Sequence, residues 1–106
     1  MIISTTENIA GYSIKEHLGT VIGNTIRARH VGKDIMAGLR TIIGGEIKEY
    51  TGMLAESREQ SMMRMKAKAK ELGADAVVGV RFQTSMILSG TVELLVYGTA
   101  VKLEKS

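Results

Sequence analysis

Residues 44–82 read GGEIKEYTGMLAESREQSMMRMKAKAKELGADAVVGVRF, and this stretch decides the fold. Between Gly45 and Leu72, apolar residues recur at the spacing of an amphipathic helix. The glycine at position 73 favours a left-handed cap that ends such a helix. The segment therefore predicts one long helix followed by a buried strand over residues 76–84. The stripe expected to face a sheet comprises Ile47, Tyr50, Leu54, Ser61, Met65 and Leu72.

Length and composition limit the classes of protein to which this chain can belong. A chain of 106 residues suits a single domain spanning 1–106, and 44% hydrophobic residues exclude a disordered chain. The absence of cysteine excludes disulfides and thiolate metal sites and fits a reducing compartment, so we expect a cytoplasmic protein. No leader and no long apolar run are visible, which argues against a membrane partner. The net charge of +3 comes with no nucleic-acid-binding motif, so nucleic acid is not an expected partner.

The last strand decides the topology. Residues 91–103, TVELLVYGTAVKL, are apolar on both faces, as in a strand from the middle of a covered sheet. Residues 20–29 alternate as a strand does, and residues 76–84 form a further strand. We therefore expect the last strand to lie between the other two and to pair antiparallel with both. The outer strands would then be parallel and joined by a right-handed crossover.

The remaining segments have weaker signals. Residues 1–4 predict a brief strand, and residues 5–18 predict a loop with one helical turn. Residues 33–43 have apolar residues at helical spacing and predict a short helix. Gly44 and Gly45 predict a kink before the long helix. Residues 83–90 predict a loop with an apolar tip at Met86, Ile87 and Leu88.

One helix can cover one face of this sheet but not both. The second face is expected to carry Val21, Val77, Leu95, Tyr97 and Val101. Burial stabilises each large side chain by about 1.5–3 kcal/mol, so these residues need a cover. Either the first 18 residues and the short helix provide it, or another copy of the chain does. The exposed side of the helix, around Met63, is either a scatter of surface residues or a second contact face.

Three runs of sequence resemble a known family. They are IIGGEIKEYTGMLAESREQSMMRMKAKAKELGADAVVGVRF, the earlier GTVIGNTIRARHVGKDIMAGLR and the ending VYGTAVKL. Together they resemble the YbjQ-like family of small bacterial and archaeal proteins, which carries a heavy-metal-binding label, over essentially the whole chain. The resemblance implies a two-layer α+β, dodecin-subunit-like fold, in which one long helix packs against a small antiparallel sheet. The short helix predicted over residues 33–43 adds to this fold. The resemblance also implies a ring-shaped homo-oligomer, a pentamer. It supplies neither an activity nor a set of ligand residues.

Metal binding is tested first because of that label. A transition-metal site needs His, Cys or carboxylate ligands that converge. The chain offers His17, His30 and no cysteine, and His30 and Asp34 could share a helical face. Two ligands do not make a site, and the pattern favours surface histidines. A metal cofactor therefore rests on the family label alone, with His30 and Asp34 as the weak candidates.

An anion site is the second possibility. Arg27 and Arg81 are expected on one face of the sheet, with Tyr97 and Thr99 on the central strand between them. Guanidinium groups beside hydroxyls suit a carboxylate or a phosphate. The alternative, which the residues alone favour, is that both arginines form salt bridges between subunits.

Catalytic signatures are absent from the sequence. Ser57, Ser61 and His30 are scattered, Glu46 and Glu49 fit an acidic first helical turn, and Gly44–Gly45 matches no phosphate-binding loop. We expect a homo-oligomeric binding module that takes a small ligand, anion or metal at its subunit interfaces. The alternatives are a structural or protein-interaction ring without a small-molecule site, and an enzyme with an inter-subunit site.

Overall fold

The computed structural model describes residues 1–28, 42–43 and 46–106, with side chains described outside residues 42–50. A four-stranded sheet is packed by one long helix on one face, which confirms the predicted α+β class. In chain order the elements are β1 (Ile2–Ile3), β2 (Tyr12–Ala28), β3 (Ile42–Ile43), β4 (Glu46–Ile47), α1 (Lys48–Glu71), β5 (Ala76–Leu88) and β6 (Thr91–Lys105).

The sheet has the strand order β1-β5-β6-β2, so the last strand lies between β5 and β2 as predicted. Strand β6 is antiparallel to both neighbours, while β1 adds a short parallel edge to β5. The core explains this placement, because β6 has buried side chains such as Val96 and Val101 on its two faces. A strand that buries both faces is stable only inside the sheet.

The long helix begins at Lys48, three residues later than predicted, because Ile47 pairs with Ile42 in a small two-stranded sheet. The predicted helix over residues 33–43 is therefore wrong at Ile42–Ile43. The rest of that helix, and the kink at Gly44–Gly45, lie outside the described residues. The predicted cap at Gly73 is confirmed: its φ is +77° and the Ala74 N–H donates to the Ala69 carbonyl at 3.1 Å.

The buried stripe of α1 differs from the predicted one. Ser61 and Met65 are fully buried as expected, but Leu72 is 47% exposed. Residues at intervals of four line the interface instead: Ser57, Ser61, Met65 and Ala69. This stripe contains small and polar residues, so the helix lies closer to the sheet than a stripe of leucines would allow.

The closest approach of helix and sheet is at Gly23. A Cβ atom built on Gly23 would lie 2.0 Å from the Ser61 carbonyl oxygen and 2.5 Å from the Met65 nitrogen. Next to it, the hydroxyls of Thr25 and Ser61 are 2.7 Å apart, and Ser61 donates to the Leu94 carbonyl at 2.9 Å. The missing side chain at position 23 therefore lets the backbones meet, and the buried hydroxyls satisfy one another there.

The side of the sheet away from α1, here the outer face, is covered at one end only. There Ile9 and Ile14 pack against Ala76, Val78 and Val101. At the other end Ile22, Ile26 and Tyr97 are 41%, 56% and 37% exposed, and we call these three residues the open patch. The N-terminal segment thus provides part of the cover, and the open patch remains uncovered by the described residues.

Two members of the predicted second face lie elsewhere. Val21 and Val77 belong to the core beneath α1, together with Met65 and Ala69, so their assignment to the outer face is wrong. The reason is that α1 packs on the side of β2 that carries Gly23. Val21 shares this side because alternate residues of a strand point the same way.

Two predicted loops are strands in part: residues 12–18 of the first and 83–88 of the second. The segment 5–18 contains no described helical turn and enters β2 at Tyr12, while β5 continues through the predicted 83–90 loop to Leu88. The predicted apolar tip is nevertheless exposed, with Met86 at 73% and Leu88 at 68%. No helix in the described ranges has the length and hydropathy needed to cross a membrane.

Candidate anion site

A β-bulge in β5 brings Arg81 to the outer face of the sheet. The register shifts between Val78 and Arg81, and Gly79 has a φ of +62°, which favours glycine. The extra residue lets Val80 enter the core beneath α1 while Arg81 pairs with Tyr97 on the outer face. The bulge therefore changes the alternation of the strand between Val78 and Arg81.

The N-terminal segment holds Arg81 in place. The Gly79 N–H donates to the Thr6 carbonyl at 2.9 Å, and the Val80 N–H donates to the Ser4 carbonyl at 3.0 Å. Arg81 Nη1 donates to the carbonyls of Thr5 at 2.8 Å and of Val80 at 2.9 Å. Both side-chain bonds use the same nitrogen, so neither occupies the Nε and Nη2 donors of the guanidinium.

Arg81 borders a hollow of about 560 Å³ between the N-terminal segment and the outer face. We call it the Arg81 hollow. Its polar side chains combine a guanidinium, an imidazole, a hydroxyl, an amide and one carboxylate, all close to the protein surface. Its lining comprises Glu7, Asn8, Ile14, His17, Val78, Gly79, Arg81 and Thr99.

Irregularities in β2 bring His17 to this hollow. The register between β2 and β6 shifts between Ile14 and Glu16 and again between His17 and Gly19. Because of these shifts, Ile14 and His17 both lie opposite outer-face residues of β6, although they are three positions apart. His17 therefore lies beside Arg81 and Thr99, where simple alternation from residue 20 would not place it.

The structure brings together two of the four predicted anion ligands. Arg81 and Thr99 line the Arg81 hollow. Tyr97 lies on the same outer face as the cross-strand partner of Arg81, but it is outside the lining and belongs to the open patch. Its phenol is thus a neighbour of the site, at the border between the covered and uncovered ends of the outer face.

The predicted placement of Arg27 on the same face as Arg81 is wrong. Arg27 lies on the helix side of β2, where its Nη2 donates to Gln60 Oε1 at 2.7 Å and lies 3.6 Å from Glu56 Oε1. The cause is the same as for Val21: the face of β2 that carries Gly23 turns toward α1. Within the described residues, Arg27 therefore joins the helix to the sheet.

The sequence pattern does not predict that Glu7, Asn8 and His17 line an anion site. They precede the regular part of β2, in a segment with two isolated apolar residues, Ile9 and Ile14, that cover the outer face. A glycine inside a strand pattern is a recognised sign of a bulge, so Gly79 could have indicated where alternation fails. No such residue in the sequence indicates that the N-terminal segment, through Ser4 and Thr6, packs against this bulge.

The described residues do not fit a heavy-metal centre. No group of three or more His, Asp or Glu residues converges in the described part of the chain, and cysteine is absent from the whole sequence. In the Arg81 hollow, His17 and Glu7 share the lining with a guanidinium, whose positive charge opposes a cation. The two weak metal candidates, His30 and Asp34, lie outside the described residues.

Relatives of this chain have been found across bacteria and archaea. A UPF0145 protein of Archaeoglobus fulgidus is 58% identical over 103 residues, which cover 97% of this chain and 95% of that protein. A UPF0145 protein of Colwellia psychrerythraea is 56% identical over 105 residues, covering 99% and 100% of the two chains.

The fold also has a solved counterpart. A crystal structure of a Pediococcus pentosaceus protein of unknown function, from the DUF74 family, superposes with a TM-score of 0.70 over 98% of each chain. At 21% identity this likeness supports the fold alone. Residues 1–104 match the sequence model of the family described as "Putative heavy-metal-binding". The chain therefore belongs to that family, as the resemblance of its glycine-rich and strand motifs predicts.

Proposed function

We propose that this protein is a homo-oligomeric binding module, assembled as a pentamer, that takes a small carboxylate in the Arg81 hollow. The observation that carries the proposal is the position of Arg81. Its guanidinium is held by two backbone carbonyls at 2.8 and 2.9 Å, and it borders a hollow that also contains Thr99 and His17. A fixed guanidinium beside a hydroxyl suits a planar carboxylate.

The neighbourhood of the hollow supports a site between subunits. The hollow lies where the covered end of the outer face meets the open patch. A second copy placed on the open patch would contact Tyr97, which pairs with Arg81. Burial of the open patch favours assembly, and assembly would shield the Arg81 hollow from water, which strengthens a charge-assisted hydrogen bond.

Glu7 narrows the class of ligand. A carboxylate in the lining repels a densely charged anion, but it accepts a hydrogen bond from a ligand hydroxyl. A small hydroxycarboxylate therefore suits the hollow better than inorganic phosphate does. Arg81 would bind its carboxylate, and Glu7 or Asn8 would bind its hydroxyl.

An NMR titration with glycolate tests this function. We expect saturable shifts of backbone amides around Gly79 and Thr99, and a weaker response to inorganic phosphate. Arg81→Gln removes the guanidinium and should weaken glycolate binding by about tenfold or more. Arg58→Gln removes an exposed arginine from α1 and should leave binding unchanged. Equal affinity of wild-type protein and Arg81→Gln would refute the carboxylate site.

The exposed tip of the β5–β6 hairpin favours a second candidate function, a protein-interaction ring. Met86, Ile87 and Leu88 are 73%, 50% and 68% exposed, and large exposed apolar clusters mark contact surfaces. The glycolate titration separates the two functions, because an interaction ring needs no response in the Arg81 hollow.

A further inference from the structure

A second hollow, of about 600 Å³, lies on the exposed side of α1, on the other side of the sheet from Arg81. We propose that it binds a small amphipathic carboxylate, a short aliphatic chain that ends in a carboxylate group. We call it the Met63 hollow. Its apolar floor and basic rim are formed by Met1, Met63, Lys66, Ala67, Lys70 and Ala74. This inference goes beyond the proposed function and does not depend on it.

The floor of the Met63 hollow is apolar and supported from below. Met63 is 63% exposed and Met1 is 50% exposed, although both side chains are large and apolar. Ala74 packs against the core beneath α1, and Ala67 lies one helical turn from Met63. Methionine is unbranched and adapts to apolar surfaces of irregular shape, so this floor suits a flexible aliphatic chain.

The helix places two lysines beside this floor. Met63, Lys66, Ala67 and Lys70 follow the i, i+3, i+4, i+7 spacing that puts residues on one face of a helix. Ser61 and Met65, which are buried against the sheet, lie on the opposite face. Both lysines are exposed, so their ammonium groups can reach the end of a ligand that lies over Met63.

The local charges favour an anion. Asp75 also lines the hollow, but its Oδ2 accepts a hydrogen bond from the Leu103 N–H at 2.9 Å, which directs that oxygen toward β6. The ion pair found in the described part of the chain joins Arg27 to Glu56, at a different part of α1. The charges of Lys66 and Lys70 are thus available to a ligand carboxylate.

Size and polarity together define the ligand. Small-molecule sites occupy about 300–1,000 Å³ and combine apolar surface with a few polar groups. The Met63 hollow has a volume in this range and is open to solvent, with four apolar and three charged residues in its lining. Inorganic phosphate lacks the apolar part, and an alkylammonium ion has the wrong charge. A medium-chain alkanoate such as octanoate has both features.

Octanoate is therefore the probe, observed by NMR of protein labelled with ¹³C at the methionine methyl groups. We expect saturable shifts of the Met1 and Met63 signals, and none at Met86, which is exposed but lies on the β5–β6 hairpin. Octylamine should bind about tenfold more weakly because its charge is reversed. In Arg81→Gln, the octanoate affinity reported by the Met1 and Met63 signals should equal that of the wild type, because Arg81 does not line the Met63 hollow.

Two double lysine substitutions test which positive charges octanoate binding requires. Lys66→Gln with Lys70→Gln should weaken octanoate binding by about five- to tenfold. Lys68→Gln with Lys105→Gln removes the same net charge from outside the hollow and should leave the affinity unchanged. The proposal is overturned if both double variants lose affinity equally, if octylamine binds as tightly as octanoate, or if Met86 shifts in parallel with Met63.

Discussion

Gly23→Ala should strongly destabilise the protein, because α1 and β2 meet backbone to backbone at this position. The new methyl group would lie 2.0 Å from the Ser61 carbonyl, and backbone atoms cannot rotate away as a flexible side chain can. Overpacking of this kind costs about 3 kcal/mol or more. For a chain of this size, that lowers the melting temperature by about 10–20 °C. Thermal unfolding followed by circular dichroism, at one fixed protein concentration, measures the effect.

Gly52→Ala is the matched control. It also adds one methyl group to a glycine, but a Cβ at Gly52 would have no heavy atom within 4 Å. Because Gly52 lies inside α1, alanine should stabilise the helix by up to about 1 kcal/mol. If the melting temperature of Gly23→Ala equals or exceeds that of Gly52→Ala, the result contradicts a close backbone contact between α1 and β2 at position 23.

Ile22→Lys combined with Ile26→Lys should separate the proposed oligomer into folded single chains. Both isoleucines belong to the open patch, and burial stabilises each large side chain by about 1.5–3 kcal/mol. Two lysines remove this gain and place charge in an apolar contact, so assembly should weaken by at least about a hundredfold. Glu93 pairs across the sheet with Ile26, so lysine there should not destabilise the single chain.

Size-exclusion chromatography with light scattering measures the mass of the double variant, and circular dichroism confirms its fold. Leu72→Lys provides the control, because Leu72 is 47% exposed but directly follows the C-terminal end of α1, away from the outer face. It should assemble as the wild type does. An unchanged mass for the double isoleucine variant would exclude the open patch as the subunit contact.

The apolar pattern was sufficient to predict the order of the main strands. Residues 91–103 are apolar on both faces, and a strand of that kind is stable only between two others, as β6 is. Gly73 after Leu72 likewise predicted the end of α1, because few other residues adopt the left-handed cap. Both signals are local in sequence, and neither depends on which face the helix covers.

The choice of face was not predictable from hydrophobicity. Both sides of β2 carry apolar residues, and the side with Val21, Gly23 and Thr25 is the more polar one by sequence. The helix packs there because Gly23 permits a close approach and Thr25 bonds to Ser61. Because α1 covers this side of β2 and not the predicted one, Arg27 lies on the helix side of the sheet and Arg81 on the outer face. The predicted pairing of the two arginines on one face is therefore wrong.

The candidate site depends on bulges, which alternation does not predict. Gly79 and the shifts around His17 each place a side chain on the outer face three residues after the previous one. A period of two therefore fails in both strands at the point where the Arg81 hollow forms. Arg81 and Thr99 were found because they follow from chemistry and strand pairing, whereas Glu7 and Asn8 come from a segment without periodicity.

Native mass spectrometry of the protein purified from its own cells is the most direct test of the proposed function. It reports the number of 11.5 kDa chains and any retained small ligand in one measurement. We predict an assembly of several chains, a pentamer, whose retained carboxylate is lost in Arg81→Gln while the assembly persists. A stable single chain of 11.5 kDa would contradict the proposal that the open patch joins copies of this protein.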